Sequence, residues 1–70
     1  MADARISEAV TSRLVHDAVV DAMDIRVSTF RGVVTLRGTV SGPRIAQRAV
    51  NLARGVPGVR RVTSELSVAR

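Results

Sequence analysis

Ile6, Val10 and Leu14 recur at every fourth position between Asp3 and Val20, with Ala9 and Ala18 close to the same line. That spacing marks the buried stripe of an amphipathic helix, so a helix is predicted from Asp3 onward. Asp3 fits its N-cap, where a carboxylate accepts from free first-turn amides and meets the positive end of the helix dipole. Asp17, Asp21 and Asp24 set negative charge at the opposite end, which the dipole disfavours, and the helix is expected to fray after Asp17.

The period then drops to two. Ile25, Val27 and Thr29 alternate with Arg26, Ser28 and Phe30, the pattern of a half-buried strand. Arg31-Gly32 supplies a tight reversal, since glycine takes the positive φ that a short hairpin needs. Val34, Leu36, Gly38 and Val40 alternate with Val33, Thr35, Arg37 and Thr39 as a second, antiparallel strand. Gly38 falls on its apolar side, and a strand glycine there is read as room for a helix packed across the sheet.

Ser41-Gly42-Pro43 signals a second helix, with Ser41 capping free amides and Pro43 in the first turn. Ile45, Ala49, Leu52 and Ala53 form its inward stripe, with Ala46 and Val56 at the margins; Arg44, Gln47, Arg48, Asn51 and Arg54 point outward. Gly55 suits the left-handed position closing the helix. After Pro57-Gly58, the residues Val59, Val62, Leu66 and Val68 form a third strand. The expected fold is α+β: a two-layer αββαβ sandwich in which two helices cover one face of a three-stranded mixed sheet and leave the other bare. A right-handed crossover makes the third strand parallel to one neighbour, and the pattern leaves open which one.

Seventy residues correspond to one domain, residues 1–70, able to bury about 60% of its unfolded surface. Cysteine is absent, so aliphatic packing alone holds the core. All eleven basic residues are arginine, against six acids, and the net charge of +5 favours polyanionic partners such as anionic lipid or nucleic acid. An arginine-only basic set also serves ordinary solubility, so charge alone selects no partner. No stretch reaches the roughly 18 apolar residues of a membrane span, and Met1–Arg5 lacks the charged start and apolar run of a signal peptide. The sequence fits a cytoplasmic protein or a segment of a longer exported or multidomain one; the second is expected.

The string Ile25-Arg-Val27-Ser-Thr-Phe-Arg-Gly32-Val-Val34-Thr-Leu36-Arg-Gly38-Thr-Val40 resembles the signature of the BON family (bacterial OsmY and nodulation domain). Ile6, Val10, Leu14, Asp17 and Val20 upstream, and Ala49, Ala53, Val56, Gly58, Val59, Val62, Leu66 and Val68 downstream, extend the likeness over nearly the whole chain. Arg31, Ala18 and Ser64 depart from the usual residues outside the core pattern. The resemblance implies an αββαβ module of bacterial envelope and osmotic-stress proteins that binds phospholipid or protein; no catalytic residues and no cofactor are assigned. It also implies a periplasmic or envelope location if a signal segment was removed, and a cytoplasmic one otherwise. Family analogy does not by itself fix function.

Catalysis finds little support in one histidine without cysteine or tyrosine, and His16 reads as an ordinary surface residue. Asp17, Asp21 and Asp24 offer oxygen ligands to a cation, but without a calcium-loop arrangement they read as a solvated acidic corner paired with Arg13 or Arg26, and no metal residues are assigned. Gly55-Val-Pro-Gly58 matches the bare G-x-x-G of KH modules; a strand follows where KH requires a helix, and nucleic acid is set aside as a partner.

Two surfaces carry candidate contacts. On the bare sheet face Phe30 lies with Arg26, Val33, Arg37 and Arg61, a ring among guanidinium groups that suits an anionic membrane or a protein; the opposing reading folds Phe30 over the hairpin edge to shield Val33. Val15, Val19 and Met23 face outward if the first helix continues, whereas termination at Asp17 lets Val19 or Val20 turn inward. The expected partners are therefore anionic phospholipid or an envelope protein. The alternative class is a protein-interaction module of a larger protein, pairing with an adjacent domain or a second copy as a homo-oligomer.

Overall fold

The computed structural model describes residues 2–20 and 24–69. Its elements are α1 (Ala2–Val15), β1 (Ile25–Phe30), β2 (Val33–Val40), α2 (Pro43–Arg54) and β3 (Arg61–Val68), in the expected αββαβ order. The sheet runs β1-β2-β3, with β1 antiparallel and β3 parallel to β2, so the open question of the third strand is answered by the central strand.

Because β2 has a strand on either side, its inward residues are the best covered: Val34 and Leu36 have no exposed surface. Ile6, Val10 and Leu14 of α1 close over them from one side. Ala49 and Ala53 of α2 do so from the other, and their small side chains let the helix backbone sit near the sheet. Val20 and Val56, both in connections, complete the cluster. α1 stops at Val15, and the next residues leave the helical path so that Val20 turns inward while Val19 stays in solvent.

Several local expectations are corrected. Asp3 lies within the first turn of α1 and caps nothing there; its carboxylate reaches across the fold to the β1–β2 turn. Gly42, and not Ser41, is the N-cap of α2, and no side chain caps it; Pro43 follows at the first helical position as expected. Gly55 is right-handed (φ −76°), because the chain continues through further tight turns before reversing at Gly58 (φ +94°). Val59 precedes β3 and is not part of it.

Gly38 is needed for a reason other than helix packing. It is paired with Ile25 at the start of β1 and has φ +134°. A Cβ built there would lie 1.7 Å from the Asp24 carbonyl oxygen, so the backbone entering β1 occupies the space a side chain would take. Gly38→Ala is therefore expected to cost about 3 kcal/mol, comparable to truncating the buried Leu36. Gly42→Ala, at an extended position with nothing nearby, should cost less than about 1 kcal/mol. Urea unfolding of the two variants checks the contrast.

Candidate binding surface

Alternation along the strands puts three rows of side chains that cross the whole sheet on the bare face. Strand register defines them as Phe30–Val33–Arg61, Ser28–Thr35–Thr63 and Arg26–Arg37–Glu65. All five bare-face candidates thus share one side of the sheet, but they divide into two groups. Phe30, Val33 and Arg61 lie in the row next to the hairpin turn, while Arg26 and Arg37 lie two rows away. Arg37 Nε donates to Glu65 Oε1 at 2.9 Å, and with both side chains well exposed the pair adds little stability while neutralising its row.

The turn beside Phe30 is built from Arg31 (φ +51°) and Gly32 (φ +82°), both left-handed, the geometry that matches the twist of a two-residue hairpin. Their amides would otherwise point outward unpaired. Asp3 accepts both, from Arg31 N–H at 2.8 Å and Gly32 N–H at 3.1 Å, and these bonds hold its carboxyl below the usual carboxylate range. On the other side the Gly32 carbonyl accepts from Arg60 N–H at 2.8 Å. Close by, the Arg60 stem packs against Gly32, and Arg54, Arg60 and Arg61 line a shallow groove of about 350 Å³ with Val59 and Val62.

Phe30 is 70% exposed, so it is not folded away over the hairpin edge. Half-buried Val33 is its register partner, and the Arg31 guanidinium lies 5.2 Å from the ring centroid, within cation–π range. Arg31, Arg54 and Arg60 are the residues of this end that sequence reasoning overlooks as a surface. Arg54 enters it only as an outward residue of the second helix, because nothing in the linear pattern places the loop that follows against the hairpin.

The second candidate surface is broken up. Val15 and Val19 are exposed, at 60% and 52%, but belong to different local conformations, the last turn of α1 and the loop after it. Met23 lies outside the described residues. Val15 sits at the far end of α1 from Asp3 and thus from the hairpin turn, about 20 Å away along the helix, and in the opposite layer from Phe30. A flat partner meeting Phe30 end-on does not reach it.

Asp17 serves the loop. Its Oδ1 accepts from the amides of Val19 (2.8 Å) and Val20 (3.1 Å), and Arg48 Nε of α2 donates to both carboxylate oxygens, at 2.8 and 3.0 Å. The partner is therefore Arg48 and not Arg13 or Arg26. Only 6% of the Asp17 side chain is exposed, and with its donors already in place it is not a free cation ligand; Asp21 lies outside the described residues and Asp24 is exposed. His16 is exposed, and its Nδ1 donates to the Ser12 carbonyl at 2.8 Å.

Arg48 first, then the Val19 and Val20 amides, hold the Asp17 carboxyl down at about 2 against an ordinary 3.8. A carboxyl with a lower pKa folded than unfolded stabilises the fold above the unfolded value and loses that contribution as pH falls through the folded one. The urea midpoint should hence decline as pH is lowered from 3.8 toward 2, and Asp17→Asn should flatten that decline while lowering the midpoint at neutral pH.

A family model described as "BON domain" matches residues 2–70. The chain is 40% identical over 68 residues to a protein of Escherichia coli (strain K12) called "Osmotically-inducible protein Y", an alignment covering 97% of this chain and 34% of that relative. The chain spans about a third of the length of the curated relative it matches.

Proposed function

The chain belongs to the BON domain family, and on that premise we propose that it is a non-enzymatic binding module that attaches to anionic phospholipid surfaces in the bacterial periplasm or envelope under osmotic stress. The observation that carries this reading is Phe30, a ring 70% in solvent with Arg31 beside it and Arg61 in its row of the sheet. An exposed ring inserts among acyl chains and headgroups, and guanidinium groups bond phosphate oxygens in bidentate fashion. The chemistry of the side chains agrees: the single histidine bonds its own helix, and there is no cysteine or tyrosine to act as a nucleophile or acid–base partner. The relative's name supports the link to osmotic conditions.

A second reading, an interaction module for an adjacent domain, a second copy or an envelope protein, is favoured by β3. This edge strand carries Val68, an inward-side residue paired with Val40 that is nevertheless 44% exposed. A concentration-dependent sedimentation shift would favour self-association over lipid.

Co-sedimentation with vesicles tests the main reading. The domain is expected to pellet with anionic vesicles and not with neutral phosphatidylcholine, and to be released as salt rises. Equal binding to both vesicle types, or none to either, would refute it. Arg37→Gln should change binding less than Arg61→Gln, since Arg37 is already paired with Glu65.

A further inference from the structure

Resting on that lipid-binding reading, we propose that the domain docks end-on: the hairpin turn and the α2–β3 loop together form the membrane contact, with Phe30 inserted and Arg31, Arg54, Arg60 and Arg61 holding lipid phosphates. The rest of the bare sheet face, from the Ser28–Thr35–Thr63 row to the Arg26–Arg37–Glu65 row, and the Val15–Val19 surface stay out of the contact.

Three observations place the contact at this end. Four arginines from three separate segments lie toward this end: Arg31 over the face of the exposed ring, Arg61 in its sheet row, and Arg54 and Arg60 with Arg61 around one groove. None of the four forms an ion pair among the described residues, whereas Arg37 and Arg48 are paired elsewhere. The carboxylate at this turn, Asp3, has its two oxygens filled by the Arg31 and Gly32 amides. The carboxylate stays ionised but is fixed on those amides, and it forms no ion pair with any of the four arginines among the described residues.

The opposite end offers less free positive charge beside its apolar residues. Val15 and Val19 flank Asp17, whose charge is matched by Arg48, and Asp24 is exposed at the entry to β1. The length of α1 separates the two ends by about 20 Å, so a flat bilayer that meets one of them end-on does not reach the other. Charge complementarity selects the hairpin end. There the turn is tied to α1 through Asp3 and to the α2–β3 loop through Arg60 N–H, so the backbone segments that carry the ring and Arg60 are held together.

The test uses vesicles of equimolar phosphatidylglycerol and phosphatidylcholine. Tryptophan, absent from the chain, is introduced singly at two exposed sites as Phe30→Trp and Val19→Trp. Brominated lipid should quench and blue-shift emission from the first and leave the second unchanged. Arg60→Gln and Arg61→Gln, which keep much of the aliphatic stem, should each weaken binding about fivefold. Arg44→Gln, on the first turn of α2, should alter it by less than about twofold. Equal losses at positions 44, 60 and 61 would mean diffuse attraction to net charge and overturn the proposal. So would quenching at position 19, or vesicle binding with position 30 unquenched; in those cases the lipid-binding reading survives and only the docked end is wrong. No binding of the unaltered domain to these vesicles overturns both.

Discussion

The closure of the Arg31-Gly32 turn is the interaction on which the rest of the structure depends. Two consecutive left-handed residues leave two amides and a carbonyl facing out of the hairpin, and each finds a partner from a distant part of the chain. Asp3 brings the start of α1 to the turn, and Arg60 brings the loop that follows α2. One two-residue reversal thereby fixes where α1 begins relative to the sheet and where β3 enters beside β2. The same bonds account for the electrostatics of that end. The carboxylate is held by backbone amides, which keeps its pKa low, and the neighbouring Arg31 and Arg60 form no ion pair among the described residues.

Asp17 does the comparable work at the far end with the opposite electrostatic outcome. It gathers two loop amides and Arg48, so the chain leaving α1 is fastened to α2 and Val20 is delivered to the core. Here the carboxylate and guanidinium satisfy each other. Two aspartates at the two ends of α1 thus hold the connections of a small domain without disulfides, one leaving free positive charge and the other consuming it. With so small a core, the fold relies on these side-chain-to-backbone bonds to set loop positions that apolar packing alone would leave loose.

The central place of β2 governs what is available for binding. Flanked by β1 and β3 and covered by both helices, it gives up its inward side to the core entirely, while its outward side remains bare between two edge strands. Of that bare side, the row nearest the turn combines ring and unpaired charge, the middle row is neutral, and the farthest holds the Arg37–Glu65 pair. Phe30 is in this position because it is the last residue of β1 and points away from the helices; the hairpin ends before another strand residue can cover it.

The elements, their order and their buried sides were legible from the chain alone, because helix and strand periods and glycine–proline punctuation are local properties. Ile6, Val10 and Leu14, or Val34 and Leu36, declare their burial by spacing alone. The resemblance carried by residues 25–40 likewise named the family that the comparisons show. The pairings between distant residues needed the assembled fold: β3 beside β2, Asp3 at the hairpin turn, Asp17 with Arg48, the Asp24 backbone against Gly38, and Arg60 against Gly32. A linear pattern reports which side of an element a residue occupies and carries no information on which remote segment lies opposite, since loop closure and register choose that only when the core assembles. For the same reason Asp3 and Asp17, read locally as a cap and as a solvated acid, have roles set by partners more than 25 positions away.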